Sequence, residues 1–220
     1  MIKLLACLYV LGVALLVALA MADDSGSPPQ AGTVKGSVLF AGGEAPKGVV
    51  AGDAVVYLVG EGLKAAHPVD GDAVAVPPVV LAQKDITYVP HVVVLTVGAP
   101  LEVRNSDAIL HNVHTQSIKN AEFNIAQTGG STQTVTFQKA EIFHVGCDIH
   151  SQMSAWILVL EHPFFARPGA DRHFEIQGVP PGHYTLRAWH EAYKPVSVEI
   201  DVKVGAATEI NLDFAEKRKP

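Results

Sequence analysis

Cysteine and methionine are scarce in this chain. Its 220 residues hold two cysteines, Cys7 and Cys147, and three methionines, Met1, Met21 and Met153. A metal loop built on paired cysteines is therefore excluded. Positive charge is also short, with 16 Lys and Arg against 22 Asp and Glu and a net charge of −6. No basic stripe marks a nucleic-acid footprint. Helical signals are missing too: no segment combines 3.6-residue apolar periodicity with caps. What remains is a chain long enough for one large or two small domains with a proper core.

The first 22 residues account for one of the two cysteines. Lys3 supplies a single positive charge, residues 4–22 are uncharged and apolar, and Ala18-Leu19-Ala20 and Ala20-Met21-Ala22 are both small-x-small cleavage sites. A polar stretch from Asp23 to Pro29 follows. That order predicts a secretory signal peptide over residues 1–22, cleaved near Ala20 or Ala22, and so a periplasmic or secreted protein. The alternative is an uncleaved anchor, because an apolar run of this length nearly spans a bilayer. A membrane is expected as a partner only in that case. Cleavage removes Lys3, taking the net charge to −7, and removes Cys7, leaving Cys147 as the sole thiol. A lone thiol in an oxidising compartment is expected to be bound, buried or reactive.

The rest reads as strands. Alternating or continuous apolar runs over residues 34–40, 54–59, 86–89, 92–97, 101–104, 132–137, 141–145 and 155–160 are separated by Gly, Pro and Asn. The run at 155–160 is apolar throughout, which suits a strand buried on both faces. After a junction at His162-Pro163 come further runs at 174–177, 184–189, 196–204 and 208–214. The fold class predicted is all-β, an antiparallel sandwich architecture.

The chemistry gathers around Cys147. The segment Val145-Gly146-Cys147-Asp148-Ile149-His150-Ser151-Gln152-Met153 carries a thiolate, an imidazole and a thioether on one short loop. Upstream, His111 closes Asn105-Ser106-Asp107-Ala108-Ile109-Leu110-His111-Asn112 near the end of another strand. Two imidazoles and a thiolate in a plane, with a distant axial Met, make a type 1 copper site. Thiolate and thioether favour Cu(I), imidazoles favour Cu(II), and a compromise geometry keeps reorganisation small.

Asn-x-Asp-x3-His-Asn followed by Cys-x2-His-x2-Met, at strand ends in an all-β chain, resembles the plastocyanin, pseudoazurin and amicyanin group of cupredoxins. The short Cys-to-Met spacing is most similar to amicyanin, and the likeness covers residues 84–160. It implies a Greek-key β-sandwich and one copper held by His111, Cys147, His150 and Met153. It further implies that Asn112 hydrogen-bonds near the Cys147 sulfur and ties the two ligand loops together, and that the edge of His150 is where an electron leaves, with Met153, Ile149 and nearby residues contributing to an apolar surface patch. A second motif, Phe174-x-Ile176-x-Gly178-Val-Pro-Pro-Gly182-x-Tyr184-Thr-Leu-x-Ala-Trp189-His190, resembles the carboxypeptidase regulatory-like (transthyretin-like) β-sandwich. The division expected is a copper domain over 33–161 and a smaller sandwich over 162–216. Strands from 33–60 are an alternative source of that sandwich's missing part.

The expected function is single-electron transfer by Cu(II)/Cu(I) cycling with an unidentified redox protein as partner. Copper storage or delivery is the alternative, although Met153 has no Met or His cluster around it in sequence. An enzyme is not expected. A multicopper oxidase needs several such domains, a Cys/His hydrolase would leave Met153 and the His-Asn element unexplained, and zinc is a poor match for Met. His114 is expected at the rim of the site, with an auxiliary metal role as its other reading, and His144 is expected to be structural. His67, His91, His162, His173, His183 and His190 are expected on the surface, and Phe137, Phe143, Trp156 and Trp189 in cores.

Overall fold

The computed structural model describes residues 31–41, 49–63 and 78–218. The predicted signal segment, Cys7, His67 and most of the 60–78 connection lie outside them. Among the described residues the fold is all-β, as expected, with one 3-10 turn at Ala51–Asp53. The strands begin with β1 (Gly32–Phe40), β2 (Val55–Val59), β3 (Val79–Lys84), β4 (Thr87–Val89), β5 (Val92–Thr96) and β6 (Pro100–Asn105). Next come β7 (His111–Thr115), β8 (Asn124–Gln127), β9 (Thr132–Thr136), β10 (Glu141–Gly146), β11 (Ser154–Leu160) and β12 (Phe165–Ala166). Last are β13 (His173–Val179), β14 (Gly182–Trp189), β15 (Val196–Val202), β16 (Ala207–Glu209) and β17 (Leu212–Phe214).

Four sheets form two face-to-face pairs. Sheets ordered β5-β11-β10-β7-β8 and β4-β3-β6-β9 enclose a core that includes Leu81, Val103, Phe137, Phe143 and Ile157. The other pair is β12-β2-β14-β15 against β13-β1-β16, with β17 also on β1, around Val38, Phe40, Leu58 and Leu186. Strands β1 and β2 therefore hydrogen-bond to strands from the C-terminal part of the chain. Alternation explains how the pairs stack, since successive side chains of a strand point to opposite faces. In β11, Ile157 faces the 79–160 core, while Leu158 joins Val55, Val92 and Trp189 in a third cluster between the pairs. The continuous apolar run at 155–160 is this doubly buried strand.

Several readings need correction. Ile86 is not in a strand; with Asp85 it forms the two-residue turn between β3 and β4, at φ values of 55° and 53°. Positive φ at both central residues matches the twist of a hairpin, though a β-branched residue is unusual there. The segment 208–214 is two strands, β16 and β17, which pair in parallel with successive stretches of β1. Strands β3, β7 and β8 went unread; the last two, His-Asn-Val-His-Thr and Asn-Ile-Ala-Gln, are too polar to show alternation.

Candidate metal centre

Topology delivers the site. Strand β7 is antiparallel to β10 through Gly146↔His114, so His111, at the start of β7, lies beside the chain leaving β10. That chain is the 147–153 loop, which re-enters the sheet as β11 paired back onto β10. Cys147, His150 and His111 meet there, each with a ligand atom within 4.8 Å of the others. His111 and Cys147 are buried, and His150 is partly exposed.

The atoms that converge are specific. His111 Nδ1 lies 3.0 Å from His150 Nδ1, and Cys147 Sγ lies 3.8 Å from His150 Nδ1. His111 Nε2 is 2.8 Å from Asp107 Oδ2. A carboxylate can only accept, so Nε2 carries the proton and Nδ1 turns a lone pair inward. Metal–donor bonds of about 2.0–2.3 Å put neighbouring donors roughly 3–4 Å apart, a range that both of these His150 distances meet. Two imidazoles and one thiolate on a buried floor suit copper. Met153 is buried in the same core cluster as Cys147 and so takes no part in the surface patch expected of it; its N–H donates to His150 C=O at 3.0 Å.

Around these donors runs a polar frame. Asn112 Oδ1 accepts the Asp148 N–H at 2.7 Å and lies 3.1 Å from Cys147 Sγ, whose S–H donates to it. Asn112 Nδ2 donates to Asn124 and to Asp148 Oδ2. The residue thus bonds from β7 to the 147–153 loop. Tyr88, unread in the sequence, places its hydroxyl 2.6 Å from Asn112 O and 3.0 Å from Gly146 O, bridging β7 and β10. Burial, with Cys147 and Asp148 nearby, pushes its phenol far above the ordinary range. Asp107 also accepts the backbone N–H groups of Asp85 and Ile86, at 2.8 and 3.0 Å. These bonds, the His111 contact among them, hold its carboxyl below the usual range. One carboxylate therefore pins both the positive-φ turn and a site imidazole.

His114 sits at the rim, between Asp148 at 3.0 Å and Glu122 at 2.9 Å, which raise its pKa. His144 bonds to Ser154 Oγ at 2.9 Å and packs on Trp156. Two of the expected surface histidines are buried: His162, and His190 within a ring of Phe40, Tyr193 and Phe214. Spacing shows no cluster at either position, and only the packing of the second sandwich covers them.

No family model and no curated protein matches the chain. Among solved structures it is similar to a copper-containing nitrite reductase from Thermus scotoductus, at 23% identity and a TM-score of 0.39. That match covers 43% of this chain and 25% of the reductase, so the chain spans a quarter of its length. A purple cupredoxin from Nitrosopumilus maritimus is 16% identical, with a TM-score of 0.33 over 37% of this chain and 98% of its own. An amicyanin variant in the Cu(I) form is 20% identical, with a TM-score of 0.35 over 47% of this chain and 97% of its own. What the site can hold is read from its own atoms.

Proposed function

We propose that this chain is a cupredoxin-type electron carrier that would hold one type 1 copper through His111, Cys147 and His150, with Met153 as a fourth, thioether donor. The observation that carries the reading is the convergence of two Nδ1 atoms and one Sγ on a buried floor. Bound there, copper supplies one-electron Cu(II)/Cu(I) chemistry. The protein's part is to hold its donors fixed in both states. Asp107 sets the His111 tautomer, Asn112 and Tyr88 lock the two ligand segments together, and burial of His111, Cys147 and Met153 keeps water out. His150 is partly exposed, and Ile109, Leu110 and Ile149 are 45%, 48% and 49% exposed. An apolar rim beside the imidazole suits brief docking of a redox protein. The reading includes an extracytoplasmic location, on the strength of residues 1–22, and a copper sandwich inserted between strands of a second one.

The test is the visible spectrum with Cu(II). An intense thiolate-to-copper band that vanishes in Cys147→Ser is the expected result. A colourless complex, or preference for zinc at the same ligands, would sink the reading. Fast electron self-exchange with slow copper loss to a chelator separates a carrier from a delivery protein.

A further inference from the structure

The second sandwich reaches the metal loop through a carboxylate. Strands β5 and β11 pair in parallel from Val92↔Trp156 onward, and the Trp156 N–H donates to His91 C=O at 2.9 Å. Beyond that rung the carbonyl of Ser154, the residue after Met153, faces the His91 imidazole, with Nδ1 3.0 Å away. A carbonyl only accepts, so Nδ1 is protonated. The other nitrogen, Nε2, lies 2.8 Å from Glu191 Oε1. The second carboxylate oxygen accepts the Trp156 indole N–H at 2.8 Å. With an acceptor on each side, the His91 ring bridges the Ser154 carbonyl and the Glu191 carboxylate.

Glu191 follows β14 and so belongs to the other sandwich. His144 bonds to the Ser154 hydroxyl from β10, while Arg167 donates to Val92 O at 3.0 Å and His190 precedes Glu191. Trp156 meets Trp189 at 5.4 Å, so packing holds the same seam that the carboxylate crosses. Ser154 is held at its carbonyl and at its hydroxyl, and it marks where the 147–153 loop becomes strand.

We propose that Glu191 is a positioning residue for the metal loop. Its carboxylate clamps His91 and Trp156, and His91 fixes Ser154 and with it the Met153 end of the loop. The consequence for copper rests on the function proposed above; the clamp itself does not.

The experiment uses the full chain and the variants Glu191→Ala, Glu191→Gln and His91→Phe. In the metal-free protein, amide hydrogen exchange of residues 147–155 is expected to quicken about tenfold in Glu191→Ala and His91→Phe. Glu191→Gln should stay near wild type, since its carbonyl accepts from Trp156 and its NH₂ can donate to the His91 Nε2 lone pair. With Cu(II), chelator competition should show affinity about tenfold weaker in the first two variants, with a shifted thiolate-to-copper band. Wild-type exchange over 147–155 in Glu191→Ala overturns the proposal, and so does acceleration spread evenly over both sandwiches. Faster loop exchange with unchanged copper affinity overturns the positioning role. Should Glu191→Ala fail to fold, His91→Phe decides, because it keeps the Glu191–Trp156 bond. A wild type without a thiolate band sinks the copper reading and leaves the exchange measurement to judge the clamp.

Discussion

At the scale of single residues, each donor of the candidate site is set by a neighbour. His111 turns its Nδ1 inward because Asp107 holds Nε2–H. Replacing Asp107 with Ala frees the tautomer and the ring, and copper affinity should fall about tenfold in a chelator titration. Met153 fills the core beside Cys147, and under the proposed function it also presents its thioether. Met153→Leu conserves volume, so stability should drop by less than about 1.5 kcal/mol. The thiolate band should survive, while the reduction potential moves. Loss of all colour would mean that Met153 is needed to hold the metal at all.

At the scale of elements, turns carry the precision. The 117–120 turn wraps the Glu141 carboxylate, which accepts from the Ser117 hydroxyl and the Ile118 and Lys119 N–H groups. Burial opposes ionisation there, yet those bonds and Asn120 outweigh it and bring Glu141 down to about 2. A carboxylate with a depressed pKa stabilises the fold above its unfolded value, near 4.3, and loses that contribution as pH falls through its folded value. Urea midpoints should therefore decline between about pH 4.5 and 2 in the wild type. Glu141→Ala should cost about 2 kcal/mol at neutral pH and flatten that decline. A second tight contact lies at Gly129, where an added Cβ would meet Asp107 O at 2.7 Å and Ala108 C at 2.8 Å. Gly129→Ala should displace the loop leading to His111 and broaden the copper spectrum.

Across the whole molecule, the two sandwiches share the cluster of Val55, Val92, Leu158 and Trp189. Trp189 is buried, and Arg218 lies 5.9 Å over its ring. Trp189→Ala should cost about 3–5 kcal/mol in urea unfolding followed by the remaining Trp156. One cooperative transition is expected in the wild type, because β11 contributes both to the 79–160 core and to the cluster shared between the sandwiches. Removing residues after 161 would strip β1 and β2 of the C-terminal strands they bond to and expose Leu158 and Val92. That fragment should aggregate.

Sequence by itself determined the all-β class and the local chemistry. Period-two runs between glycines and prolines are short-range signals, and Cys147, His150 and Met153 lie within seven residues of each other. His111 was legible because its Asn-Asp-His-Asn surroundings are local too. Tertiary structure alone decided the rest. The burial of His190 and the contact of Glu191 with His91 join residues that are far apart or unremarkable in sequence. Polar strands such as β7 form because neighbours on both sides supply their hydrogen bonds, and no pattern within five residues can announce that. The lone Cys147 was readable as a candidate ligand, but the second imidazole beside it arrives only because β7 lies next to β10.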